Sequence, residues 1–476
     1  MLPRPKSSSP KSSSPADFLR SSPSQPPSTL SNKPPSSTRP GSPSRASPSK
    51  PRSGPGEAPK AAASAPWKGS RAIVMDMGTW SCKAGLAGDA EPSSRVGSVV
   101  GYPLKKKQKS SEVGKEAFVG KLARTQLDLE LVEPVSRGIV VDWEAVEELW
   151  RHVFYRELKV SPSNRGVLLT DPPTSPTTNR EKIAEVLFET FDCPGIYVAY
   201  QSVLAVYSYV LTSDLVVDCG AGATRTVPVS DGYNLPHAIE RVDLAGEDLT
   251  QHLSRLLQAS GSSSSEKGRH VVEDIKHKCC YVAADFPSEC RLSADECIVD
   301  YELPDGSVIS LGQERFRCPE ALFRPSMLGS HLKGLHAMAL HSLSRVKSAE
   351  SCAGLYGSIL LSGGSTMFPG FQERFHNELL ALSPEHQPRI LSDPERKHAT
   401  WVGGSILTSL AAFQSHWVKK TDYQAVGPYI IHRRCYWTED SFHTAVFHTH
   451  ILSWCSADRL ESFNSLETQH MEVPDT

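Results

Sequence analysis

The sequence predicts an α/β body carried behind a disordered basic arm. Three observations lead there: composition changes abruptly near residue 70, two apolar runs each end in an Asp-x-Gly turn, and buried-strand runs alternate with amphipathic ones. With 476 residues the chain is long enough for two or more domains. No uninterrupted apolar stretch approaches the roughly 20 residues of a bilayer helix. Met1-Leu2-Pro3-Arg4-Pro5 runs into serine and proline without an apolar core, so no secretory leader is expected. Eleven cysteines, an odd number with no C-x-x-C pair, argue against a disulfide scaffold or a zinc ribbon.

The arm, residues 1–66, holds 19 Ser and 16 Pro. A segment of that composition has too little to bury to offset its conformational entropy. Ten Lys/Arg against Asp17 and Glu57 make it +8, so with a chain total of −2 the remainder is −10. Ser9-Pro10-Lys11, Ser42-Pro43-Ser44-Arg45 and Ser47-Pro48-Ser49-Lys50 are Ser-Pro steps followed by a cation. They suit proline-directed phosphorylation, and each phosphate would add about −1.5 to −2 charge. The arm reads as a solvated tether, or as a weak, salt-sensitive contact to nucleic-acid phosphates.

The body opens on Ala72-Ile73-Val74-Met75, an apolar run ending in Asp76-Met77-Gly78-Thr79-Trp80-Ser81-Cys82-Lys83. Much later Asp214-Leu215-Val216-Val217 ends in Asp218-Cys219-Gly220-Ala221-Gly222-Ala223-Thr224. Both read as strand, turn, strand. Glycine permits the turn and lets backbone N–H groups approach an anion. Thr79, Thr224 and Lys83 add side-chain donors for phosphate. Asp76 and Asp218, facing each other across a cleft, would hold a hydrated divalent cation, with magnesium favoured by its retained waters. Either loop alone fits an ordinary hairpin; the pair is the informative observation. Trp143–Leu158 and Arg180–Phe191 supply the amphipathic helices of the layered fold.

Longer stretches then carry a resemblance. They include Cys82-Lys83-Ala84-Gly85-Leu86-Ala87-Gly88-Asp89, Arg137-Gly138-Ile139-Val140, Thr178-Asn179-Arg180-Glu181-Lys182 and Asp243-Leu244-Ala245-Gly246. Tyr301-Glu302-Leu303-Pro304-Asp305-Gly306, Glu314–Glu320, Leu361–Met367 and Trp401–Leu407 continue it. From Arg71 to Cys435 the chain resembles actin and the actin-related proteins, and among these the divergent germ-cell actin-like proteins. The resemblance implies the two-lobed actin-like fold shared with hexokinase and chaperone ATPases. A small lobe would comprise 71–207 and 399–435, a large lobe 208–398, and a C-terminal extension 436–476. The hinge would cross near Gln201–Ser208 and Lys397–Trp401.

The same resemblance implies an ATP/ADP site with magnesium. Asp76, Gly78, Thr79, Lys83, Asp218, Gly220, Gly222 and Thr224 match phosphate and metal positions. Gly246 and Lys276 match positions beside the nucleoside, Gly363, Gly364 and Met367 the adenine loop, and Lys397 the lysine over the base. Gln201 matches the glutamine that positions the attacking water, the main task of such a residue in phosphoryl transfer. Four departures weaken hydrolysis: Ala221 for an aspartate, Arg225 for a histidine, and Glu273 and His277 for an arginine and a glutamate. The expectation is therefore a structural or adaptor protein of the cytoskeleton in which nucleotide locks the lobes. Its alternatives are an ATP-hydrolysing filament former and a nuclear chromatin-complex subunit.

Two surfaces bear on partners. Between Gly101 and Val113 the chain reads Tyr102-Pro103-Leu104-Lys105-Lys106-Lys107-Gln108-Lys109-Ser110-Ser111, four lysines in place of actin's apolar inserting tip. That argues against actin-type filaments; the lysines also suit a nuclear-localisation patch, an anion contact or a plain solvated loop. Tyr207, Val402, Ile406, Leu407 and Leu410 match the groove where actin takes amphipathic helices from partner proteins. Ile406, Leu407 and Leu410 equally fit the core face of one helix. In the extension, Phe442–Trp454 alternates like a strand that folds back on that groove. Its His443, His448, His450 and Cys455 fit no closed metal site.

Overall fold

Alternating runs of buried apolar residues build two six-stranded sheets, each organised around one of the two hairpins. The computed structural model describes residues 70–104, 117–261 and 268–435. The expectations for the 1–66 arm, for Lys105–Lys109 and for the 436–476 extension with its histidines lie outside those residues.

In the first sheet the order is Val418–Lys419, Gly195–Tyr200, Gly166–Asp171, Ile73–Met77, Ser81–Leu86, Ser94–Gly97. Ile73–Met77 runs antiparallel to Ser81–Leu86 and parallel to Gly166–Asp171. The second sheet repeats the plan. Asp214–Cys219 runs antiparallel to Thr224–Ser230 and parallel to Ile359–Ser362, with Ile390–Leu391 beyond. Ile73–Met77 is buried at every residue and reads as an unbroken apolar run up to its aspartate. That is the sequence form of a strand covered on both faces.

Helices cover the sheets. Trp143–His152 is capped by Asp142, whose side chain accepts from the Ala145 N–H at 3.0 Å, and it buries Ala145, Val146, Leu149 and Trp150. A wider turn, Val153–Glu157, carries it on with Val153 and Phe154 inward. Thr177–Glu185 continues in the same manner through Val186–Thr190. The apolar core falls into two large clusters. One is centred on Ile73, Trp150, Phe154 and Trp401; the other, around the second sheet, includes Leu249, Phe371 and Phe375. Among the described residues no helix is long and apolar enough to cross a membrane.

The helix Gln201–Ser208 leads from the first sheet to the second and packs along Ala399–Ser409. Their contact depends on Gly403. A Cβ placed there would lie 1.8 Å from the Leu204 carbonyl oxygen. Two residues earlier, Trp401 is fully buried and donates its indole N–H to the Val74 carbonyl at 3.0 Å, tying the same helix to the first sheet. Gly403→Ala is expected to destabilise the fold by about 1–3 kcal/mol through overpacking. It should appear as a lower urea midpoint at unchanged slope.

Candidate functional site

The two hairpins point their tips into one cleft enclosing about 950 Å³, part of it open to solvent. Its walls include Asp76, Gly78, Thr79 and Lys83 from the first hairpin and Asp218, Gly220, Gly222 and Arg225 from the second. In both hairpins the aspartate lies directly across the ladder from a cation, Asp76 opposite Lys83 and Asp218 opposite Arg225. Opposite charges at facing positions of an antiparallel pair attract across a short gap.

The first pair is tight. Lys83 Nζ donates to Asp76 Oδ2 at 2.7 Å, while Thr170 Oγ1 and Gln201 Nε2 donate to Oδ1 at 2.8 and 3.2 Å. Burial pushes the Asp76 carboxyl up, but the Lys83 charge and these three hydrogen bonds win and hold it below the ordinary carboxylate range. The second pair is looser, with Arg225 Nη1 3.6 Å from Asp218 Oδ2. There loss of solvent wins, aided by the nearby Asp76 charge, and the Asp218 carboxyl is raised despite Arg225. That electrostatic influence and the shared walls place the two tips against one another.

Loop backbone also faces the cleft at the hairpin tips. The N–H groups of Thr79, Trp80, Ala221 and Gly222 have no backbone acceptor among the described residues. Thr79 Oγ1 accepts from the Gly138 N–H at 2.8 Å, which leaves the hydroxyl proton for another acceptor. Close approach requires Gly222: a Cβ there would sit 2.5 Å from Thr79 Oγ1. Gly363 adopts φ +90°, and a Cβ on it would meet the Cys219 carbonyl at 2.4 Å. Unpaired N–H groups, glycines and a lysine fit a phosphate chain. The carboxylates fit a divalent cation less well, since each already has a protein cation and Ala221 adds no third.

A strap closes one side of the cleft. The two-residue turn Arg137-Gly138, with φ of 52° and 80°, joins the short strands Val135–Ser136 and Ile139–Val140. Positive φ at both residues suits a hairpin but is strained for arginine. What holds it is a fork: Arg137 Nη1 and Nη2 donate to Asp248 Oδ2 and Oδ1 at 2.5 and 2.9 Å, and Nη1 also reaches the Gly222 carbonyl at 3.2 Å. The Arg137 carbonyl in turn accepts from Arg225 Nη2 at 3.3 Å and Arg241 Nη2 at 3.1 Å. Farther out, Arg269 bridges Glu133 and Glu247 at 3.1 and 3.2 Å.

The structure gathers most of the residues singled out from sequence. Gln201, Gly246, Lys276, Gly363, Gly364 and Lys397 all line the cleft with the hairpin residues. Two do not. The Thr224 hydroxyl is buried and donates to the Leu244 carbonyl at 2.7 Å, and Met367 faces a separate recess beside Phe368 and Arg396. Lys276 is already engaged, donating to the Gly246 carbonyl, Thr250 Oγ1 and Glu273 Oε1 within 3.0 Å. Tyr207, Val402, Ile406, Leu407 and Leu410, the residues matched to a partner groove, are all buried and belong to the same core cluster as the first sheet. Arg137, Arg241 and Asp248 escaped sequence reasoning. The one available signal was an Arg-Gly dipeptide between short apolar pairs, which reads as a tight turn but says nothing of its partner.

Two sheets of matched plan, joined by paired helices with a cleft between glycine-bearing hairpins, define a two-lobed α/β protein. A family model described as Actin matches residues 68–436, and the chain belongs to the actin family. It is 48% identical to Actin-like protein 9 of Bos taurus over 367 residues, covering 77% of this chain and 88% of that protein. Actin-like protein 9 of Homo sapiens is 47% identical over the same shares. Against Actin-like protein 7A of Mus musculus the identity is 45%, over 77% of this chain and 83% of the relative.

The strap yields a test. Asp248→Asn keeps an acceptor for the Ala245 N–H but loses the ion pair with Arg137. Because both partners are partly solvated, the expected loss of stability is about 1 kcal/mol. Amide exchange should accelerate at residues 135–140 and 220–225 together; unchanged exchange there would show that the strap carries no load.

Proposed function

We propose that this chain is a structural or adaptor protein of the germ-cell cytoskeleton, which holds ATP or ADP as a structural ligand and acts through protein partners. The carrying observation is Arg225. Its guanidinium is buried between Asp218, Thr174 Oγ1 and the Arg137 carbonyl, on the side of the cleft where the resemblance implies a histidine arranging catalytic water. Gln201, the residue matched to water positioning, donates its amide to Asp76 Oδ1, to the Met77 carbonyl at 3.3 Å and to Thr170 Oγ1 at 3.4 Å. Side chains engaged in this way favour a held ligand over turnover.

A ligand of the closed form stabilises it by mass action alone, without hydrolysis. When bound, the nucleotide would supply a phosphate chain spanning both hairpins. Gly78, Thr79 and Lys83 would meet it from one lobe and Gly220, Gly222 and Arg225 from the other, while Gly363, Gly364 and Lys397 would flank the base. The germ-cell setting rests on the resemblance to actin-like proteins.

Nucleotide freed by denaturing the fresh full-length protein should be ADP or ATP near one per chain, by mass spectrometry. Lys83→Ala should lower that occupancy by about tenfold, the loss of one charged hydrogen bond. With added ATP and magnesium, phosphate release should stay at background for both wild type and Gln201→Ala. Phosphate release coupled to sedimentable polymer would instead establish an ATP-hydrolysing filament former.

A further inference from the structure

We propose that Arg225 takes over the charge of the divalent cation, so that this cleft binds a nucleoside di- or triphosphate without metal. The inference rests on reading the cleft as a nucleotide site.

Its geometry is a permanent cation built into a strand. Arg225 stands directly opposite Asp218 in the second hairpin, and only 5% of its side chain is accessible. With so little of it in contact with water the charge is weakly screened, and it acts strongly on whatever enters the cleft beside it. It also crosses the interlobe gap. A Cβ on Gly138 would lie 2.5 Å from Arg225 Nη2, so the guanidinium fills the space that this glycine leaves open.

The guanidinium still has capacity for an anion. Nε and Nη2 are committed to Thr174 Oγ1 at 3.4 Å and to the Arg137 carbonyl at 3.3 Å. Nη1, at 3.6 Å from Asp218 Oδ2, is too far for a strong hydrogen bond, and Arg225 lines the cleft. A planar fork of fixed charge suits phosphate oxygens.

A hydrated divalent ion meets the opposite conditions. Asp76 already accepts from Lys83, Thr170 and Gln201, Asp218 is balanced by Arg225, and Ala221 offers no carboxylate. An ion placed between the two aspartates would face two resident cations, Lys83 and Arg225. The same two cations, with the loop N–H groups, are what a bare phosphate chain needs.

Binding of ADP, read by displacement of a fluorescent ADP analogue from the full-length protein, separates the possibilities when run in excess magnesium and in excess chelator. Wild-type affinity should differ by less than about threefold between the two, because the counter-charge belongs to the chain. Arg225→Gln should lose about ten- to a hundredfold in chelator and regain part of it with magnesium, as one charge-assisted contact implies. Arg225→Lys, which keeps the charge without the fork, should remain metal-independent at reduced affinity. Thermal melting checks that the variants fold; if Arg225→Gln does not, wild type and Arg225→Lys still decide. A wild-type affinity that collapses on chelation overturns the proposal while leaving the nucleotide reading intact. So does an Arg225→Gln variant that binds like wild type in chelator. No ADP binding in either condition overturns both.

Discussion

The constraint on which the rest depends is the facing of one carboxylate and one cation across each hairpin ladder, Asp76 with Lys83 and Asp218 with Arg225. Two acids at the mouth of one cleft repel each other, and burial makes that worse. Each hairpin answers first through its own register, and the Lys83 charge also favours the ionised form of Asp218 from the opposite hairpin. The solutions differ in strength: Lys83 bonds its carboxylate at 2.7 Å and keeps it ionised, whereas Arg225 stands off at 3.6 Å and leaves Asp218 raised. The difference follows from what else each cation does. Lys83 is spent on its own aspartate, while Arg225 divides its donors between Thr174 and the Arg137 carbonyl.

That division makes Arg225 more than a counter-ion. It belongs to the second sheet by its strand, yet its far end lies over a turn between short strands of the first lobe. Arg137 reciprocates, leaving the same turn to fork onto Asp248. The two arginines therefore cross the gap in opposite directions, and Arg241 adds a third contact to the shared carbonyl. An unfavourable positive φ at Arg137 persists because these contacts over-determine it.

How much of this was legible in the chain differs by element. Ile73–Met77 and Asp214–Cys219 announce themselves, because strands buried on both faces read as unbroken apolar runs and the turns after them need glycine. The amphipathic run Trp143–Leu158 was equally plain from its helical spacing, and it folds as Trp143–His152 with a wider turn after it. Residues of the cleft came through a resemblance and largely assembled there. Thr224 did not, because a hydroxyl two residues past a turn can serve a phosphate or its own fold, and here the Leu244 carbonyl took it. Val402, Ile406, Leu407 and Leu410 show a related limit. An apolar stripe on a helix reads the same whether it waits for a partner or packs inward, and the folded chain leaves all four buried. Arg137 with Asp248 was out of reach: 111 residues separate them, and no local pattern encodes such a pair.

Substitutions that depart from the resemblance therefore gain a common physical sense. Ala221 removes a negative charge from the second loop and Arg225 adds a positive one beside it. Glu273 turns Lys276 inward to Thr250 and the Gly246 carbonyl. The first two changes move the phosphate end of the cleft toward fixed positive charge. The third takes a flexible cation out of play near the nucleoside end. A site altered in this direction gains resident counter-charge, while Asp76, Asp218 and Gln201 stay in its wall. Such a change suits a cleft whose ligand stays in place, and it makes closure a property of the chain's own arginines.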